Sequence, residues 1–150
     1  MGYGIAVPEP GRAVPYLIAT MGQPLTRIGE LKIFGFRSVI DIGTPIDESK
    51  RHRLETEATG MRYFNIALTT NIPTTQQSTH FNEIVLNANN SPLLIYAPRA
   101  ELIGIMWASY RIALGSPLEF VLQEGRSLGL TKEQETKLRN RKLHTNSSLN

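Results

Sequence analysis

Leu93-Leu94-Ile95-Tyr96-Ala97-Pro98-Arg99-Ala100-Glu101-Leu102-Ile103-Gly104 is the most informative stretch of this chain. The apolar run Leu93 to Tyr96 follows an Asn89-Asn90-Ser91-Pro92 turn, and an uninterrupted run of that length suits a central strand covered on both faces. Beyond Pro98 the period changes. Leu102, Ile105, Met106, Ser109, Tyr110 and Ala113 recur at three- and four-residue steps, which predicts a helix to about Leu114. A buried strand handing over to a helix is the building unit of a parallel sheet, because parallel neighbours need a crossover.

Reading outward from there, the same unit recurs. Ser38-Val39-Ile40-Asp41-Ile42, bounded by Gly35 and the Gly43-Thr44-Pro45 turn, predicts a buried strand. A charged helix over Asp47 to Thr59 follows, with Leu54 and Ala58 as its narrow apolar face, and Gly60 ends it. Arg62 to Leu68 is the next strand. The polar stretch Thr69 to Gln77, broken by Pro73, leads into a helix near Thr74 that packs Phe81, Ile84 and Val85. Earlier in the chain, Tyr16 to Thr20 predicts a short strand, and Leu25, Ile28, Leu31, Ile33 and Phe34 a helix stopped at Gly35. After Gly115-Ser116-Pro117, a helix to Leu128 is expected on Phe120, Val121 and Glu124. A last helix runs from Lys132 to about Leu143, capped by Thr131.

Strands separated by helices give a three-layer α/β domain with a mostly parallel central sheet flanked by helices. The 150 residues make one domain, with an irregular arm over 1–15, rich in Gly and Pro, and a frayed polar tail over 144–150. At this length roughly 70% of the unfolded chain's surface can be buried, enough for one core.

Composition excludes several classes of function. With no cysteine, the chain has no disulfide, thiolate chemistry, iron–sulfur cluster or cysteine-based zinc site. The net charge of +3 is modest, with the basic residues of the final helix (Lys132, Lys137, Arg139, Arg141 and Lys142) diluted by Glu133 and Glu135. Nucleic-acid binding is therefore not expected. No apolar run approaches the roughly 18 to 20 residues of a membrane helix. The compartment stays open between cytoplasm and periplasm.

Several local signatures, in order, carry a resemblance. Gly22-Gln23-Pro24 opens the first helix, Gly35-Phe36-Arg37-Ser38-Val39-Ile40-Asp41 forms a strand, Gly60-Met61-Arg62-Tyr63 precedes another, and Pro92-Leu93-Leu94-Ile95 enters the loop region. Together they resemble the bacterial dual-specificity and tyrosine phosphatase-like domains, especially those related to the beta-lactamase hydrolase-like phosphatases. The resemblance implies a strand ending in His-Cys, then a Gly-containing loop that cradles phosphate, with an Arg clamp at the start of the next helix.

This chain departs from that pattern at each chemical role. Tyr96 stands at the His position and Ala97 at the nucleophile. The Arg position falls on Leu102, or on Ile103 with a loop one residue longer. The resemblance also implies an acidic residue after the preceding strand, yet no Asp or Glu occurs between Glu57 and Glu83. Gly43 stands where an Arg often follows Asp41. Glu101 in the first helical turn occupies the field that an anion would use, and Pro98 removes an amide donor.

The degenerate loop of Tyr96, Ala97, Pro98, Arg99, Ala100, Glu101, Leu102 and Ile103 is thus expected to be catalytically dead. The domain is expected to bind a protein or form a homo-oligomer, with no cofactor and no metal. The alternative is an anion or phospho-ligand pocket rebuilt around Tyr96, Arg99 and the Thr69–Thr75 loop, with Thr69 and Thr70 as ligand residues. His52, His80 and His144 lack the spacing of a helical metal site and are expected in structural or solvent-facing roles. Trp107, Met106 and Tyr110 are expected in the core.

Overall fold

The computed structural model describes residues 12–14, 18–21, 28–68 and 72–149, with side chains described over 28–68 and 72–141. The elements in chain order are β1 (Arg12–Val14), β2 (Ile18–Met21), α1 (Ile28–Ile33), β3 (Ser38–Ile42), α2 (Ile46–Glu57), β4 (Arg62–Ile66), α3 (Thr75–Leu86), β5 (Leu93–Tyr96), α4 (Ala100–Ala113), α5 (Leu118–Ser127) and α6 (Lys132–Leu149). The strands form one five-stranded sheet in the order β1-β2-β5-β3-β4. Among the described strands only the β1–β2 pair is antiparallel. This is the expected three-layer α/β architecture.

Period-two alternation divides the sheet between two cores. Ile40, Ile42, Leu93 and Ile95 face the larger one, with Phe81, Ile84 and Val85 of α3, Trp107 and Met106 of α4, and Val121 and Leu122 of α5. Val39, Leu94, Tyr63 and Tyr96 face the smaller one with Leu31, Phe36 and Met61. Trp107 is fully buried, as expected, and its indole N–H donates to Glu124 at 2.7 Å, so the burial leaves no orphaned donor.

Several boundaries and faces differ from expectation. The arm expected to be irregular over 1–15 contains β1, whose Ala13 lies opposite Ala19 of β2, while residues 1–11 and 15 lie outside the described set. Pro10 and Pro15 bracket a strand too short to leave a periodic signal. The expected Tyr16 and Leu17 start of β2 and the first turn of the helix from Leu25 also lie outside the described residues. The tail expected to fray from 144 continues α6 to Leu149, because no Gly or Pro interrupts it. Thr131 and Thr74 each open their helices in a reciprocal capping box, with Gln134 and Gln77 as partners.

The face of α2 is the largest correction. Leu54, the expected apolar contact, is 71% exposed, and the residues turned inward are Ser49, His52 and Thr56. Their three- and four-residue spacing puts them on one stripe. A polar stripe can pack inward here because the sheet beneath it presents Asp41, Tyr63 and Tyr96. Phe120 of α5 is likewise 54% exposed, while Val121 and Leu122 take the core.

Candidate functional site

Parallel pairing brings the carboxyl ends of β3, β4 and β5 to one end of the sheet, where parallel α/β sheets form their ligand crevices. Ala97 follows β5 directly and is fully buried. Arg99 is the extended residue before α4. Its side chain is 60% exposed and ion-paired with Glu101 at 3.2 Å. Such a surface pair stabilises little, yet it turns the loop's one cation toward the chain's own carboxylate. Pro98 has no amide, and the Leu102 amide donates to the Arg99 carbonyl at 3.1 Å. Two donors that a phosphate cradle would aim outward are therefore missing or spent.

The space between the strand ends holds carbon. Leu102 is 3% exposed and Ile103 is equally buried. At Gly43, which has φ +93°, an added Cβ would stand 2.5 Å from Leu102 Cδ1, 3.3 Å from the Leu68 carbonyl oxygen and 3.7 Å from Pro98 Cδ. Leu102 thus packs straight onto the turn leaving β3. The helix that carries it is held from the other side. A Cβ at Gly104 would meet the Leu130 amide nitrogen at 2.5 Å, so α4 lies against the α5–α6 turn with no room for a side chain. Gln134 Nε2 also donates to the Glu101 carbonyl at 3.2 Å.

Of the residues expected to hold a ligand, Tyr96 is fully buried and turned away from the loop, Arg99 is at the surface, and Thr69 and Thr70 lie outside the described residues. Tyr96 belongs instead to a buried polar cluster under α2. Its hydroxyl donates to Asp41 Oδ2 at 2.8 Å, and Tyr63 donates to the same oxygen. His52 Nδ1 hydrogen-bonds the Tyr96 hydroxyl and lies 3.3 Å from Asp41 Oδ2. Because the phenol has a single proton and gives it to Asp41, His52 is the donor of their shared bond. Burial first, then the Asp41 carboxylate, pushes both phenols well above the usual tyrosine range. Both stay protonated and donate to Asp41, while the Tyr96 oxygen also accepts from His52. Asp41 Oδ1 is buried with no partner among the described residues.

Sequence reasoning missed this cluster. It noted Asp41 at a strand end and set His52 aside as an isolated histidine, although the stripe Ser49, His52 and Thr56 was visible at helical spacing. His80 is exposed on α3, and the His144 side chain lies outside the described set. Among the described residues, no three His, Asp or Glu side chains converge as a metal site requires, and no helix is long and apolar enough to cross a membrane.

The fold has counterparts among solved structures. The core catalytic domain of the PP-IP phosphatase SIW14 from S. cerevisiae, in complex with citrate, matches with a TM-score of 0.68 over 88% of this chain and 85% of that one, at 20% identity. A mutant form of Tk-PTP matches at 0.66 over 87% and 95%, at 17% identity. A DUF442 protein of Shewanella putrefaciens CN-32 matches at 0.59 over 75% and 74%, at 15% identity. The fold is phosphatase-like. Neither a family model nor a curated protein sequence matches the chain. At these identities the likeness is one of architecture. What this phosphatase-like domain can do depends on its own loop.

Proposed function

We propose that the chain is a pseudophosphatase: a phosphatase-like domain without phosphatase activity that serves as a protein-binding or scaffold module. The observation that carries the reading is Leu102, which fills the crevice at the strand ends against Gly43 and Leu68 where the fold would otherwise admit a phosphate. Around it, Ala97 offers a methyl group where a nucleophile would stand. A methyl group cannot attack phosphorus, and among the described residues no buried cation lines the turn to neutralise a dianion.

Binding of an anion around Tyr96, Arg99 and the Thr69–Thr75 loop draws less support. The Tyr96 hydroxyl is committed to Asp41, and Arg99 faces Glu101.

The test uses three substrates: an aryl phosphate, phosphotyrosine and a PP-IP, the last because SIW14 is named for it. None is expected to turn over above buffer. The Ala97→Cys variant, the sole thiol in the chain, separates a missing nucleophile from a filled site. It is expected to remain inactive, and its thiol to be alkylated slowly when folded and rapidly in urea, as a buried thiol at neutral pH should be. Hydrolysis by wild type would overturn the reading, and turnover by the single-Cys variant would assign the inactivity to the missing nucleophile and overturn the role given to Leu102.

A further inference from the structure

β4 forms one edge of the sheet, and along it runs an open cleft of about 580 Å³ between α2 and α3, lined by Arg53, Glu57, Tyr63, Phe64, Asn65 and His80. The phase of the strand follows from its bonds to β3. Arg62 donates its amide to the Arg37 carbonyl at 3.0 Å, and the Ile66 carbonyl accepts from Gly43 at 2.8 Å, so even-numbered residues spend their main-chain groups inward. In a parallel pair the alternate residues point the other way. The N–H and C=O groups of Tyr63 and Asn65 therefore face the open side. One of them, the Tyr63 carbonyl, accepts Arg53 Nη1 at 3.2 Å and keeps a second lone pair.

Natural sheets block such an edge with Lys, Pro, a bulge or a covering element. β4 reads Arg62-Tyr63-Phe64-Asn65-Ile66, has no Lys or Pro, and pairs with β3 in unbroken register.

We infer that this edge is a homodimer interface, in which β4 pairs antiparallel with β4 of a second copy about a two-fold axis through Phe64. The phase fixes the register: Tyr63 opposite Asn65 of the other copy, exchanging both main-chain bonds, with the two Phe64 side chains adjacent on the α3 face. The two five-stranded sheets then run on as one of ten strands.

Two observations favour a second copy over an unrelated partner. An isologous interface must complement itself, and the helices flanking the cleft do so. α2 carries Arg53 and Glu57 one turn apart on its cleft side, half-exposed and paired with each other at 3.5 Å within the chain, so a two-fold that sets α2 antiparallel to its mate lets each arginine exchange its own glutamate for the other copy's. On α3, His80 and Glu83 repeat that pattern along the same edge. The second observation is apolar. By helical spacing, Ile46 lies on the side of α2 that bears Arg53 and Glu57, and it is 64% exposed. The inference deepens the binding-module reading by naming one partner, on a face away from the β5–α4 loop.

Sedimentation velocity on the whole chain tests it, from about 1 to 100 μM, the range where a modest interface dissociates. The expected species is a dimer of twice 16.7 kDa. Glu57→Arg is expected to weaken it about tenfold or more by placing like charges together, and Arg53→Glu with Glu57→Arg to restore it. Phe64→Lys, which introduces a charge at the axis, should also give monomer, and circular dichroism verifies that each variant is folded. A monomeric wild type at all concentrations overturns the inference, as does a dimer indifferent to both Glu57→Arg and Phe64→Lys. A monomer that hydrolyses nothing leaves the inactive reading standing, and a dimer that hydrolyses phosphate esters leaves only the interface.

Discussion

Asp41 holds the smaller core together through hydrogen bonds rather than contact area. Its Oδ2 accepts from two buried phenols and lies 3.3 Å from His52 Nδ1, so one carboxylate ties β3 to β4, β5 and α2. Removing it leaves two hydroxyls without their acceptor in a buried site. Asp41→Ala is accordingly expected to destabilise the domain by about 2–4 kcal/mol, the cost of stranding buried donors. Tyr63→Phe should cost only about 1 kcal/mol, because the carboxylate keeps its bond from Tyr96. Urea unfolding measures both. Equal losses for the two variants would mean that the cluster is held by packing and that the carboxylate is incidental.

At the scale of elements, α6 is joined to α5 by charge. Arg126 grips Glu135 with two bonds of 2.8 and 2.7 Å, and Arg139 holds Glu119 in a second fork. The Arg126 hydrogen bonds hold the Glu135 carboxyl below the usual range, and Arg139 does the same for Glu119. A carboxyl that is harder to protonate folded than unfolded stabilises the fold fully above its unfolded value, near about 4.3. That contribution is lost as pH falls through the lower, folded value. Arg126 is half-exposed, so solvent screens the pair and the contribution of Glu135 is small. Glu135→Gln should therefore be slightly less stable than wild type at pH 6, with the gap closing below pH 4, in urea titrations at each pH. A gap that persisted in acid would assign the effect to the packing of Glu135 instead. The pair also braces the turn whose Leu130 lies against Gly104, so the position of the β5–α4 loop depends indirectly on it.

For the whole molecule, what could be read from sequence divides by the range of the cause. β3 and β5 are legible because a buried strand advertises itself as a local apolar run. That no thiol stands at Ala97 and no guanidinium at Leu102 is legible because it lies in residue identity alone. The inward face of α2 is not, since Ser49, His52 and Thr56 turn inward only because Asp41, Tyr63 and Tyr96 await them, and the Tyr96–His52 and Tyr96–Asp41 bonds span 44 and 55 residues. The β4 edge was equally hidden, because which strand ends a sheet follows from topology. Charge is a third case: composition gives +3 and a basic final helix, yet partners set how much of that charge is available. Lys137 lies 3.4 Å from Glu133, Arg139 is held by Glu119, and Arg141 donates to the Pro73 carbonyl at 3.2 Å. A surface on which Lys137 and Arg139 already face carboxylates releases fewer counterions on meeting a polyanion, so its affinity for one should be weak and shallow in salt. Filter retention of a single- or double-stranded oligonucleotide is expected to be at background in about 150 mM salt, where screening reaches about 8 Å. Retention falling with salt at a slope equivalent to several phosphate contacts would show that the ion pairs give way to the ligand and that the final helix is a nucleic-acid surface after all.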